Sequence, residues 1–142
     1  MSKKLSPPVK ILSIKIWLLL LFLQPVLSLS AETTYQVLIV HAYNQEYPWT
    51  KSQHNGFVEL LLKQSEAEIN FSVEYLDTKR INYDEKYAAK LQQFFLEKYP
   101  VYKPDLIYVT DDDGYLFARD VLTQQFRDSP IFFSGVNNYD QV

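Results

Sequence analysis

Four short polar clusters in this chain each follow directly on an apolar run: His41-Ala42-Tyr43, Asp77-Thr78-Lys79-Arg80, Asp111-Asp112-Asp113-Gly114 and Ser134-Gly135-Val136-Asn137. Three consecutive acids offer oxygen ligands to a divalent cation, or acceptors to an ammonium or to sugar hydroxyls. An aspartate at such a place also serves as a helix N-cap. The Asp-x-Asp-x-Asp-Gly spacing of a calcium loop is absent, so no metal is assigned. His41 either is a bonded structural residue or works with an aspartate in acid–base chemistry. Asp77 pairs with Arg80 or Lys79, or else the basic pair binds an anion. Ser134 and Asn137 flank Gly135, which permits a tight turn and close backbone approach. Tyr47-Pro48-Trp49-Thr50 is a fifth cluster, in which Trp49 is either a rigid pocket wall or a plug over the core.

The elements that position these clusters are legible in the apolar pattern. Gln36–His41, Ile69–Leu76, Asp105–Thr110 and Pro130–Phe133 read as strands. Val37–Val40 is continuous and apolar, as in a strand covered on both faces. Ile69, Phe71, Val73 and Tyr75 alternate with polar residues, as in a half-covered strand near a sheet edge. Three helices separate the strands. The first starts with Thr50 as N-cap and carries Phe57, Leu60 and Leu61 on one side. The second starts at Asn82 or Asp84 and carries Tyr87, Leu91, Phe94, Phe95 and Tyr99. The third spans 115–126. Alternating strands and helices imply an α/β fold with a three-layer parallel sheet and right-handed crossovers, in strand order 2-1-3-4. Such sheets bind ligands at the carboxyl ends of their strands, which is where all four polar clusters fall.

The first 31 residues have another character. Lys3, Lys4, Lys10 and Lys15 precede the apolar run Ile16–Leu23, and Ser28-Leu29-Ser30-Ala31 offers small residues for cleavage. This describes a signal peptide, or a signal anchor if it stays uncleaved. Residues 32–142 are then expected on the periplasmic or outer face of the inner membrane. Removing residues 1–31 takes away four lysines and no acid, so the formal charge falls from −3 to −7. An acidic exported domain is a poor partner for nucleic acid. At long range it also repels anions, although Lys79 and Arg80 act locally in the other direction. The absence of cysteine excludes disulfides and thiolate chemistry. No Gly-x-Gly-x-x-Gly or P-loop motif is present, and with three glycines in all no dinucleotide cofactor is expected. No serine stands in a nucleophile-elbow motif.

Taken in order, five strings resemble one family. They are Val37-Leu38-Ile39-Val40-His41-Ala42-Tyr43, Tyr47-Pro48-Trp49-Thr50, Glu74-Tyr75-Leu76-Asp77-Thr78-Lys79-Arg80, the run 104–112 (Pro-Asp-Leu-Ile-Tyr-Val-Thr-Asp-Asp), and the run 130–137 (Pro-Ile-Phe-Phe-Ser-Gly-Val-Asn). Together they look like the ABC-transporter substrate-binding-protein-like sensor domain found at the outer-facing N-terminus of bacterial sensor histidine kinases and diguanylate cyclases. The resemblance covers about residues 36–140. It implies a type 1 periplasmic-binding fold, two Rossmann-like lobes closing on a small solute about a hinge, of which this chain matches the first. Residues 32–142 are therefore expected to be the N-terminal lobe of a solute-sensing domain, itself not an enzyme and using no cofactor. Carried over by position, the ligand-facing residues are Tyr43, Trp49, Asp111, Asp112, Ser134 and Asn137, with His41, Asp77 and Arg80 either structural or ligand-facing. Ala42 stands where the family commonly has serine, and Asp113 where it commonly has a small apolar residue. A solute-binding component of an ABC importer, with a permease as partner, is the alternative. A secreted hydrolase using His41 and the aspartates is a remote one. A homodimer is a further open partnership. The free edge of the fourth strand predicts poor solubility for an isolated lobe.

Overall fold

The computed structural model describes residues 33–137, and the proposed signal segment lies outside them. The strands are β1 (Thr34–His41), β2 (Glu68–Tyr75), β3 (Leu106–Thr110) and β4 (Ile131–Ser134). All pair in parallel, in the order β2-β1-β3-β4. The α/β class, the three layers and the strand order agree with the sequence pattern. β1 runs to β2 on one side while the chain continues to β3 and β4 on the other. The topological switch point therefore lies between β1 and β3, at their carboxyl ends.

Alternation along the strands divides the core into two layers. Val37, Ile39 and Tyr108 face α1 (Pro48–Gln64), which contributes Phe57, Val58 and Leu61. Phe57 stacks on Tyr108 with ring centroids 4.0 Å apart. Leu38, Val40, Ile107 and Val109 face the opposite side. There α2 (Glu85–Lys98) supplies Leu91 and Phe95, and α3 (Asp111–Phe117) supplies Phe117. α3 widens into a π-helical stretch, Ala118–Leu122, which places Val121 and Leu122 in this core before a last turn, α4 (Thr123–Gln125). Each fully buried aliphatic side chain stabilises by roughly 1.5–3 kcal/mol over leaving it in water.

Several local readings are corrected. α1 begins at Pro48, with Tyr47 before it and no side-chain cap. Proline is pre-shaped for the first helical turn, so Thr50 lies inside the helix rather than capping it. Leu60 is exposed and Val58 takes the inward place, and Phe94 of α2 is likewise exposed. The third helix begins at Asp111, four residues earlier than the apolar stripe suggests. None of the three aspartates precedes that helix as its cap. Asp111 has φ +65°, so a single left-handed residue turns the strand directly into the helix. The second helix starts as one reading has it: Asp84 is the N-cap, its Oδ1 accepting from the Tyr87 N–H at 2.8 Å.

Replacing Asp84 with alanine removes that acceptor and is expected to cost about 1 kcal/mol. In urea the unfolding midpoint should fall with an unchanged slope. An unchanged midpoint would show that tertiary packing alone sets the start of α2.

Candidate functional site

The last residues of the four strands form one row across the sheet: Tyr75, His41, Thr110 and Ser134 are register partners in turn. All four belong to the α1 side, and every one is polar or carries a polar tip. α1 lies over this row and brings Trp49, Gln53 and His54 down onto it.

His41 is fully buried at the centre. Its Nδ1 lies 3.1 Å from Thr110 Oγ1 and its Nε2 lies 3.1 Å from His54 Nδ1. Its ring stacks on Tyr75 with centroids 5.3 Å apart. Both nitrogens are thus taken by neutral partners, and neither meets a carboxylate. The His–Asp pair considered for acid–base work is not formed, and His41 is the structural alternative. Burial pushes its pKa down from 6.5 to about 4, and the neighbouring His54 adds to the effect.

Asp111 is the second anchor. It is 4% exposed, and its Oδ1 accepts from the Trp49 indole N–H at 2.9 Å. With its amide turned, Gln53 donates to Asp111 Oδ2 at 3.2 Å and accepts from Trp49 Nε1 at 3.2 Å. Burial pushes the Asp111 carboxyl up, while the bonds from Trp49 and Thr110 and the charge of Lys79 pull against it. Ser134 Oγ lies 2.6 Å from Tyr108 Oη and 3.4 Å from the Gln53 side-chain amide. Asp112 Oδ1 accepts from the Asn137 backbone N–H at 2.7 Å, which ties the turn after β4 to the start of α3. Gly135 between them has φ +71°, and a Cβ there would come within 2.6 Å of the Gln53 side-chain amide and 2.8 Å of Asp111 Oδ1. Glycine is required by both the turn and the carboxylate behind it.

Tyr43 stands at the rim. Its phenol is pushed up by burial first, then by the charges of Asp111, Asp113 and Asp112, so it shares their field. Its ring meets Tyr47 edge-on at 5.3 Å, and Lys79 Nζ lies 4.3 Å above it. Trp49 is 52% exposed, so it is a wall of the rim and not a plug. Asp77 and Arg80 form an ion pair at 3.2 Å, across a turn that Asp77 opens with φ +55°. Thr78 closes that turn onto the Ala42 carbonyl through its N–H at 2.9 Å and its hydroxyl at 3.1 Å. These residues brace the loop after β1.

The structure therefore gathers Tyr43, Trp49, Asp111, Asp112, Ser134 and Asn137 at one edge. It sets Asp77 and Arg80 beside them as supports. Sequence reasoning missed Gln53 and His54. Their signal was present: they sit one turn before Phe57 on the stripe that continues to Leu61, so a polar residue there faces the sheet end. Among the described residues no group of three or more acids or histidines is placed to hold a metal ion, and no helix is long and apolar enough to cross a membrane.

Shallow hollows border this edge. One of about 230 Å³ lies between α1 and Tyr75, and one of about 380 Å³ lies against Tyr47, Pro48, Trp49 and Ser52. A cavity of about 680 Å³ opens at the opposite end of the sheet, between 99–105 and 124–129. Three polar groups in its walls are spent on the fold, Asp105 on the Gln36 N–H, Ser129 on the Pro104 carbonyl, and the Gln125 amide nitrogen on the Phe95 carbonyl, while Gln125 Oε1 is buried without a partner. The carboxyl edge, with convergent side chains from three loops and a helix, is the stronger candidate. Comparison with protein-family models, with curated proteins and with solved structures finds no match to this chain.

The buried histidine sets a pH dependence. In the unfolded chain His41 returns to about 6.5, so between there and about 4 the unfolded state binds more protons. Its contribution is complete above pH 6.5 and is lost as pH falls through that window, by up to about 1.4 kcal/mol per pH unit. Urea midpoints should fall more steeply on acidification in the wild-type protein than in His41→Gln. Equal slopes would show that His41 is protonated in the fold. The raised Asp111 works with the opposite sign and is common to both proteins, while His54, itself lowered by burial and bonded to His41, shares in the difference, which therefore reports the histidine pair.

Proposed function

We propose that residues 33–137 form the N-terminal lobe of an extracytoplasmic solute-recognition domain, the input of a membrane signalling protein of the histidine kinase or diguanylate cyclase type. The observation that carries this reading is the convergence of Tyr43, Trp49 and Asp111 at the switch point between β1 and β3, with the Trp49 indole bonded to Asp111 and half its surface left open. Burying that ring in the core would gain more hydrophobic stabilisation than standing it at the rim. An aromatic wall fixed by a buried carboxylate is suited instead to a small organic solute.

Recognition here is non-covalent. The indole ring offers a stacking face, Asp113 and the rim tyrosines offer polar contacts, and Asp111 holds the wall in place. A second lobe, as the family resemblance implies, would close over the solute. A solute shifts such an equilibrium only by its preference for the closed state. The resemblance supports the sensor reading, and the segment 1–31 supports export and a membrane partner.

The test is a thermal-shift screen of the full chain against amines, amino acids, sugars and carboxylates. A solute that binds should raise Tm in a saturable way, equivalent to about 2.7 kcal/mol at a hundredfold excess over its Kd. Trp49→Ala should weaken that solute at least tenfold, and Trp49→Phe should weaken it less. Solutes that shift wild type and Trp49→Ala equally would place recognition elsewhere.

A further inference from the structure

The rim of the site contains a cation already. Lys79 Nζ lies 4.3 Å from the centroid of Tyr43 and 5.5 Å from that of Tyr47. The two rings stand at 84° to one another with centroids 5.3 Å apart, so they form two walls of a corner. A cation within about 6 Å of a ring centroid is drawn to the negative face of the ring. Lys79 enters none of the ion pairs between described residues, whereas its neighbour Arg80 is paired with Asp77. The ammonium of Lys79 is met by ring faces.

We propose that the corner between Tyr43 and Tyr47 is a seat for an organic ammonium group, and that Lys79 occupies it until such a solute displaces it. The inference rests on the solute-recognition reading above and names its ligand class. Three features favour a cation over an anion. The rings present their faces to the slot, and a face attracts positive charge. Asp111, Asp112 and Asp113 act electrostatically on Tyr43, and Lys79 acts on Asp111, so the slot lies within a field of carboxylates. The residues after the signal segment carry a formal charge of −7, obtained from −3 by removing four lysines, and this draws cations at long range. The N-terminus of α1, which favours an anion, works the other way.

Displacement is feasible because Lys79 is exposed and its four-carbon stem has freely rotatable bonds. An exposed ammonium held by ring faces gives up little when it returns to water, where it is strongly hydrated. A methylated ammonium is less hydrated and gains more from the same faces. Lys79 is thus an internal competitor that sets a threshold for ligands of this class.

The experiment uses the full chain carrying Trp17→Phe. The chain has two tryptophans, so Trp49 at the rim is then the only fluorescent indole. The probe is tetramethylammonium chloride, titrated against sodium chloride of equal ionic strength, with sodium acetate as the anionic probe. A saturable change in Trp49 emission is expected with tetramethylammonium. Lys79→Ala should tighten it about tenfold by vacating the seat. Tyr43→Leu and Tyr47→Leu should each weaken it at least as much. A Lys79→Ala protein that binds tetramethylammonium no better, or more weakly, overturns the proposal. So does a saturable acetate response that depends on Lys79, which would make the lysine an anion anchor. If a screened solute binds through Trp49 while tetramethylammonium does nothing, the ammonium seat fails and solute recognition stands. If neither binds, both fail.

Discussion

A strand buried on both faces and paired on both edges gives its last residue no route to water. β1 is that strand: Val37 to Ala42 are all at most 2% exposed, and the final strand residue is a histidine. A buried imidazole left without partners costs about 1–3 kcal/mol, and a charged one costs more. His41 avoids both by staying neutral and bonding to Thr110 on β3 and to His54 on α1. The first bond lies within the sheet. The second fixes α1 at a defined height above it. With His54 held there, Gln53 comes over Ser134 and Trp49 reaches Asp111, so the rim follows from where the helix is pinned.

The same constraint separates structure from recognition among the polar residues. Ser134 and Asp112 are engaged within the protein, through Tyr108 and through the Asn137 backbone. Asp77, Arg80 and Thr78 brace the loop after β1. The groups that remain turned outward are the Trp49 ring and the faces of Tyr43 and Tyr47, set in the field of the aspartates. On the proposed reading, such a site would recognise shape and charge through aromatic surface, while its hydrogen-bonding groups keep that surface in place. The π-helical widening at Ala118–Leu122 serves the far side of the sheet. It brings Val121 and Leu122 into the α2 layer and leaves the rim unaffected.

The strands were legible in the sequence because their signal is local. Val37–Val40 has the pattern of a doubly covered strand, and the alternation of Ile69 to Tyr75 that of a strand near an edge, as the sheet order has them. The order of the sheet is not set by crossover handedness, which an order 1-2-3-4 also satisfies; it agrees with the expectation that the first and third strands flank the switch point. Helix starts were less legible: a proline at Pro48 and a left-handed residue at Asp111 begin helices without a polar cap, and neither conformation is written in the apolar pattern. Leu60 and Phe94 were placed inward by apolarity alone, while packing against a twisted sheet took Val58 and left Phe94 outside. The site residues were found by type and by their position at strand ends. Their pairings were not, because Trp49 and Asp111 are 62 residues apart and meet only through the register of three strands and a helix. His54 faces His41 for the same long-range reason.

The central claim is that recognition occurs at the carboxyl edge of the sheet, above the switch point between β1 and β3. Hydrogen–deuterium exchange on the full chain, with and without the solute giving the largest thermal shift, tests it directly. The account predicts slowed exchange at the amides of 43–49, 111–114 and 135–137, with the opposite end of the sheet unchanged. Protection confined to 99–105 and 124–129, around the large basal cavity, would contradict it.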